Sequence, residues 1–248
     1  MKYGKFPDLN RWLCFENPYD MEEYQKPKNW RNAQWFKNLD TAREEFETLI
    51  CKRSAEQALH SFLEKHPYFL PGFGDLHHGP YEGIIATKFA LGRSFVTDFA
   101  YITSNSQTLF FTCVEIESAR KRLFRTDGKF HRDYLDARQQ IVDWIHWANQ
   151  NAKQAIECWG AMFNGKPARW FDIKFRGFLV FGRRSELDTS VKQERWSAEA
   201  ASLVPGLQTM TYDRLLRHVH HHRMDVDNAK LAVCSFRDRR FHVKNVIS

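Results

Sequence analysis

The sequence lacks several features that would place it in a different class of protein. It has no stretch near the roughly 18 to 20 consecutive apolar residues a bilayer span needs, since Phe178-Leu179-Val180-Phe181 is typical of its apolar runs. It has no paired cysteines: Cys14, Cys51, Cys113, Cys158 and Cys234 are odd in number, far apart and without a C-x-x-C spacing. That argues against a disulfide framework and a cysteine zinc site, and fits a reducing compartment. It also has no internal repeat and no low-complexity tract, and the opening Met1-Lys2-Tyr3-Gly4-Lys5-Phe6 has no apolar signal core. The expectation is a cytoplasmic protein with no membrane partner.

What is present is an ordinary globular composition over 248 residues, 43% hydrophobic and 27% charged, which excludes a mostly disordered chain. Lys and Arg outnumber Asp and Glu by 37 to 30, a net charge of +7 that favours an anionic partner. Residues 1–40 stand apart. Tyr3, Phe6, Trp12, Phe15, Tyr19, Tyr24, Trp30, Trp35 and Phe36 are scattered among charges without helical or strand period. They read as an irregular aromatic arm strapped onto the body or onto another subunit.

Regular structure is expected from Thr41. Thr41-Ala42-Arg43-Glu44 and Ser54-Ala55-Glu56-Gln57 both have the S/T-x-x-E/Q form of a capped helix start. Strand-like runs follow at about 84–91, 95–102 and 109–117, then a helix from Asp133 to Glu157 and a buried strand from Gly177 to Gly182. A helix near 188–202, a short strand near 207–211 and a helix from Asp213 complete the order. The expected fold class is α/β, a mixed sheet with helices on both faces.

The chemistry is signalled by acids where strands disfavour them. A carboxylate on a buried sheet face costs several kcal/mol unless paired or bound to a cation. Asp98 lies within Phe95-Val96-Thr97-Asp98-Phe99-Ala100, and Glu115 and Glu117 share the face of Phe111 and Cys113 in the next strand. Residues two apart on such a face sit roughly 7 Å from each other. Adjacent strands can set Asp98 beside Glu115, where a hard ion such as Mg²⁺ or Mn²⁺ relieves the repulsion. The alternatives are a solvated strand end for the glutamates and a salt bridge from Asp98 to an arginine.

Around these acids the motifs fall in a definite order: Ser54-Ala55-Glu56-Gln57, Phe62-Leu63-Glu64-Lys65-His66-Pro67, Thr97-Asp98-Phe99, Val114-Glu115-Ile116-Glu117, Asp127-Gly128 and Ala137-Arg138-Gln139-Gln140. From about residue 50 to 216 this order resembles the C-terminal nuclease domain of the Shedu anti-phage proteins, within the PD-(D/E)XK superfamily. The resemblance implies a restriction-endonuclease-like αβββαβ core that hydrolyses DNA with Mg²⁺ (or Mn²⁺) in prokaryotic defence. It implies Asp98 and Glu115 as metal ligands, Glu56 completing the metal shell, and Gln140 packing against the site. It also implies homo-oligomers. Where the superfamily pattern is E-x-K, this chain has Glu115-Ile116-Glu117, so Glu117 stands where a lysine would orient or deprotonate the attacking water. Lys121 is a candidate for a displaced ammonium.

Arg120, Lys121, Arg122, Arg125, Lys129 and Arg132 form a basic run after these acids. They are expected to contact DNA phosphates with little sequence preference, the alternative being a solvated charged loop. His218, His220, His221 and His222 read as a positively inclined helix end, with zinc as the lesser reading. The expected organisation is an arm over 1–40, a nuclease domain over 41–222 and an extension over 223–248. Against a metal-dependent endodeoxyribonuclease stand two alternatives, a catalytically degenerate nuclease fold that binds nucleic acid or assembles with a partner, and an RNA-directed nuclease.

Overall fold

Leu39, Ala42, Phe46 and Ile50 recur at helical spacing and are turned to the core, so the first helix runs straight through Thr41. The computed structural model describes residues 33–71, 84–92, 95–104, 107–156, 172–218, 232–237 and 240–245. Within them α1 spans Ala33–Cys51. Two expectations are thereby corrected. Thr41 lies inside a helix instead of capping one, because the apolar stripe continues on its N-terminal side, and residues 33–40 are helical instead of irregular. The rest of the expected arm, 1–32, lies outside the described residues.

Ser54 is the second corrected cap. Its N–H donates back to Leu49 O at 3.0 Å and its carbonyl accepts from Ser118 Oγ at 3.2 Å. It therefore closes α1, and Ala55 stands at the start of α2 (Glu56–Lys65) without a side-chain cap. Helix α2 buries Leu59, Phe62 and Leu63, with Phe62 stacked on Phe46 at 4.7 Å between ring centroids. A 3-10 turn over Pro67–Phe69 ends this layer.

The sheet comprises β1 (Ile84–Leu91), β2 (Phe95–Ser104), β3 (Thr108–Ile116), β4 (Asp172–Val180), β5 (Leu207–Met210), β6 (Ala232–Arg237) and β7 (Arg240–Asn245). The spatial order is β5-β4-β3-β2-β1-β6-β7. β1, β2 and β3 form an antiparallel meander, while β4 and β5 join parallel to β3. The mixed α/β architecture and the order α2-β1-β2-β3-α3-β4 agree with the fold expected from the sequence. The expected extension carries two strands that the sequence reading missed. β6 pairs parallel with β1, and β7 turns back antiparallel on β6.

Helix α3 (Arg132–Gln150) lies on the sheet through Tyr134, Ala137, Ile141, Trp144, Ile145 and Ala148. It fits because β4 has Gly177 beneath it, where a Cβ would stand 2.2 Å from Ile141 Cγ2. The helix breaks at Asn151, where the Asn151 amide donates to Trp147 O at 2.8 Å, and helical residues resume over 152–156, one short of the expected Glu157, which lies outside the described residues. A 3-10 turn (Arg184–Glu186), α4 (Ser190–Ser202) and α5 (Tyr212–His218) complete the described chain. Among the described residues, no helix is long and apolar enough to cross a membrane.

Candidate active site

Three adjacent strands build the centre of the site in one rung. Thr87 pairs with Phe99 and Phe89 with Thr97, which sets Lys88 opposite Asp98. Phe99 pairs with Val114, so the same register sets Asp98 opposite Glu115. Asp98 is buried between a cation and an acid. Its Oδ2 accepts from Ile116 N at 2.9 Å, and its Oδ1 is bonded by Lys88 Nζ. His60 of α2 is stacked on Phe99 at 4.6 Å, with Nε2 3.9 Å from Asp98 Oδ1.

Glu115 has the most perturbed environment of the cluster. Gln140 of α3 donates from Nε2 to its Oε1 at 3.0 Å. Its Oε2 is sealed from solvent and has no hydrogen-bond partner. Burial, then the charges of Asp98 and Glu117, push its carboxyl well above the ordinary glutamate range. Glu56, at the start of α2, is raised in the same sense by burial and by Asp98 and Glu117. Glu117 lies one residue past β3. Its N–H donates to Val180 O at 3.1 Å, its carbonyl accepts from Tyr212 OH, and its Oε2 accepts from Lys121 Nζ at 2.6 Å.

The fold thus gathers Glu56, Asp98, Glu115, Glu117, Gln140 and Lys121. It adds Lys88, which the sequence reading missed. A lysine inside Ile84-Ile85-Ala86-Thr87-Lys88-Phe89 looks like a solvated position of an edge strand, and only the register reveals what it faces. Its backbone is unusual as well. Lys88 has φ of +50°, a left-handed conformation that costs a non-glycine residue about 1–2 kcal/mol. Burial pulls its ammonium's pKa down, but Asp98, then Glu115 and Glu56, outweigh this and raise it.

An acid with an orphaned buried oxygen, facing a second acid, matches the oxygen chemistry hard divalent ions select. Among the described residues, however, no group of three or more His, Cys, Asp or Glu side chains could hold a metal ion. An ion at this site would have only the pair Asp98 and Glu115 as side-chain ligands, with water completing its shell, a mode that suits Mg²⁺. Glu56 senses the pair electrostatically without closing a cage around it.

The basic run forms an ordered hairpin. Phe124 bridges to Phe130 with rings stacked at 5.0 Å, and Leu123 N donates to Glu186 Oε2 at 2.9 Å. Arg120 Nε is tied to Arg53 O at 2.9 Å. Arg125 pairs with Asp127 at 3.3 Å and Arg132 with Asp136 at 3.4 Å. Arg122 and Lys129 are exposed. A cleft of about 290 Å³ is lined by Arg53, Arg122, Arg125 and Lys192 together with Glu186 and Asp188. His218 ends α5, and His220 to His222 lie outside the described residues.

The family model for the C-terminal domain of the Shedu protein SduA matches residues 53–216, about two thirds of the chain. The chain belongs to the Shedu family. The matched region of this Shedu protein holds every acid of the rung and the whole basic hairpin. Membership suggests a defence-related nuclease. No curated protein matches the chain.

Proposed function

We propose that this Shedu protein is a metal-dependent endonuclease of PD-(D/E)XK type that hydrolyses DNA phosphodiester bonds in antiviral defence. The observation that supports it most is the pairing of Asp98 with Glu115, whose Oε2 is buried without a partner. A buried carboxylate oxygen opposite a second acid carries an uncompensated desolvation cost, which a bound cation would relieve.

In hydrolysis the oxygen of water bonds to phosphorus as an ester P–O bond breaks, and the water's proton must be taken up. Asp98 and Glu115 are the residues that would hold Mg²⁺ or Mn²⁺, and Glu56 would add negative charge outside the pair. When bound, such an ion favours the ionised form of water and offsets phosphate charge. Gln140 fixes the rotamer of Glu115 through Oε1. Glu117, at the end of β3, takes the place of the E-x-K lysine, and its carboxylate orients the attacking water and accepts its proton. The exposed Arg122 and Lys129 would contact backbone phosphates together with Arg120, Lys121, Arg125 and Arg132, giving affinity with little sequence preference. A second cleft of about 360 Å³, lined by Arg184, Arg214, Arg217 and Trp196, extends the basic character beyond the hairpin.

A second reading is a nuclease fold that binds DNA without cutting it. The Lys121–Glu117 ion pair at 2.6 Å favours it, since it engages the carboxylate assigned to the water. One experiment separates the two. Purified protein is incubated with supercoiled plasmid and linear duplex in Mg²⁺, Mn²⁺ or EDTA, beside Asp98→Ala and Glu115→Ala. Metal-dependent cutting lost in both variants supports the nuclease. Salt-sensitive binding without cutting under either ion supports the binding protein.

A further inference from the structure

Lys88 has no part in the mechanism above, yet three observations converge on it. Its φ of +50° lies in the middle of a strand, and backbone strain of this kind persists where the surroundings and function fix it. It stands in the same rung as Asp98 and Glu115. Its Nζ bonds Asp98 Oδ1 while half of the side chain remains open to solvent, so the ammonium sits at the boundary between the buried acids and whatever approaches them. Position 117 meanwhile holds a carboxylate where E-x-K would supply an ammonium, and Lys121 is engaged by that carboxylate.

Resting on the hydrolytic reading, we propose that Lys88 is the resident cation of this site. Its ammonium holds Asp98 in the free protein, and it faces a non-bridging oxygen of the scissile phosphate when DNA and a divalent ion are bound. The sheet thus delivers from β1 the positive charge that E-x-K delivers from β3. Lys88 remains an ammonium throughout. The proton of the attacking water goes to Glu117, the departing ester oxygen is protonated from solvent, and Lys88 offsets the charge that builds on the phosphate oxygens as one O–P bond forms and the other breaks.

This makes two demands of opposite sign, which a merely structural lysine would not meet. In the free protein the ammonium and a divalent ion compete for Asp98, so Lys88→Ala should bind Mn²⁺ roughly tenfold more tightly by calorimetry. In the reaction Lys88→Ala should lose about a hundredfold or more in kcat, with KM for duplex DNA little changed. Lys88→Arg, which keeps the charge, should retain most of the folded stability and part of the rate. Alkylating Lys88→Cys with 2-bromoethylamine restores an ammonium and should restore cutting. The same reagent on Lys88→Ala controls for Cys51, which is exposed, and should restore nothing.

Wild-type kcat in Lys88→Ala, or weaker Mn²⁺ binding together with lost activity in both Lys88→Ala and Lys88→Arg, would overturn the proposal and leave the nuclease reading standing. If the wild-type protein cuts neither substrate with either ion, the nuclease reading falls instead. The Mn²⁺ isotherms then decide for Lys88: unchanged affinity in Lys88→Ala removes it as the resident cation, and tighter binding retains it in that role.

Discussion

Gln140 Nε2 holds one oxygen of Glu115 at 3.0 Å while the other oxygen is buried without a partner. Half of this carboxylate is fixed and half is buried without compensation. The consequence is a measurable dependence on pH. The folded-state pKa of Glu115 lies well above its ordinary value of 4.5, through burial and the charges of Asp98 and Glu117. A carboxyl raised by folding contributes stability that is fully present below its unfolded value and lost as pH rises through the folded one. Glu115→Gln mimics the protonated acid and keeps an oxygen for Gln140. It should match the wild type near pH 4, and near neutral pH melt at least about 2 °C higher, the shift of roughly 1 kcal/mol in a chain of this size. Equal melting temperatures at neutral pH would show that Glu115 is not strained.

How much of this was legible in the sequence depends on the range of the signal. Asp98 and Glu115 were visible because an acid in an apolar strand conflicts with its immediate neighbours. The αβββαβ order was visible because β-branched and aromatic runs alternate with helical spacing. Lys88 was not, since its meaning lies in what stands opposite it in β2, and register is a property of the sheet. Thr41 misled for a related reason. A capping pattern of four residues is outweighed by an apolar stripe that starts at Leu39 and continues to Ile50. β6 and β7 were missed because they join the sheet beside β1, far back in the chain.

A divalent ion that binds only the folded protein must stabilise it. At a hundredfold excess over Kd the gain is about 2.7 kcal/mol. Mg²⁺ or Mn²⁺ should therefore raise the melting temperature of the wild type in a concentration-dependent way, and EDTA should reverse the rise. Asp98→Asn and Glu115→Gln should abolish the response and Glu56→Gln only reduce it, because Glu56 stands outside the pair. A full response in Asp98→Asn would place the ion elsewhere.

Arg183 joins three elements. Its Nε and Nη2 donate to both oxygens of Asp213 at 3.1 and 3.0 Å, and its Nη1 donates to Ile50 O at 2.5 Å. The end of β4, the first turn of α5 and the end of α1 are thereby clamped. Arg183→Ala should cost about 2–3 kcal/mol in urea denaturation, and Arg183→Lys should recover less than half, because an ammonium cannot span both oxygens. Burial works to raise the Asp213 carboxyl, but Arg183 and the Arg184 N–H outweigh it and hold it below its ordinary 3.8. A depressed carboxyl stabilises above its unfolded value and loses that contribution as pH falls through the folded one. The gap between wild type and Arg183→Ala should persist at neutral pH and close only below about pH 3.8.

Gly177 sets how closely α3, and with it Gln140, lies on the sheet. A methyl group there would meet Ile141 Cγ2 at 2.2 Å, so Gly177→Ala should destabilise by about 1–3 kcal/mol through overpacking. Ile141→Ala removes the offending carbon at its own cavity cost of about 2–5 kcal/mol. The double variant should fall short of the summed losses by about 1 kcal/mol or more. Strict additivity would mean that the helix yields without strain, and the position of Gln140 would then be set by something other than Gly177.

The basic hairpin makes the prediction most specific to nucleic acid. Each duplex phosphate left without its cationic partner reduces the steepness of log K against log salt by about 0.9. Arg122→Ala and Lys129→Ala should each reduce the measured slope by about that amount, and should weaken unrelated duplex sequences equally, because phosphates carry no sequence. Arg125→Ala should do less, since its guanidinium already pairs with Asp127 at 3.3 Å. Glu115→Ala should leave the slope unaltered while abolishing cutting, which separates holding the DNA from hydrolysing it. Unchanged slopes in both Arg122→Ala and Lys129→Ala would move the DNA path off the hairpin and toward the cleft of Arg184, Arg214 and Arg217, where the same measurement would be repeated.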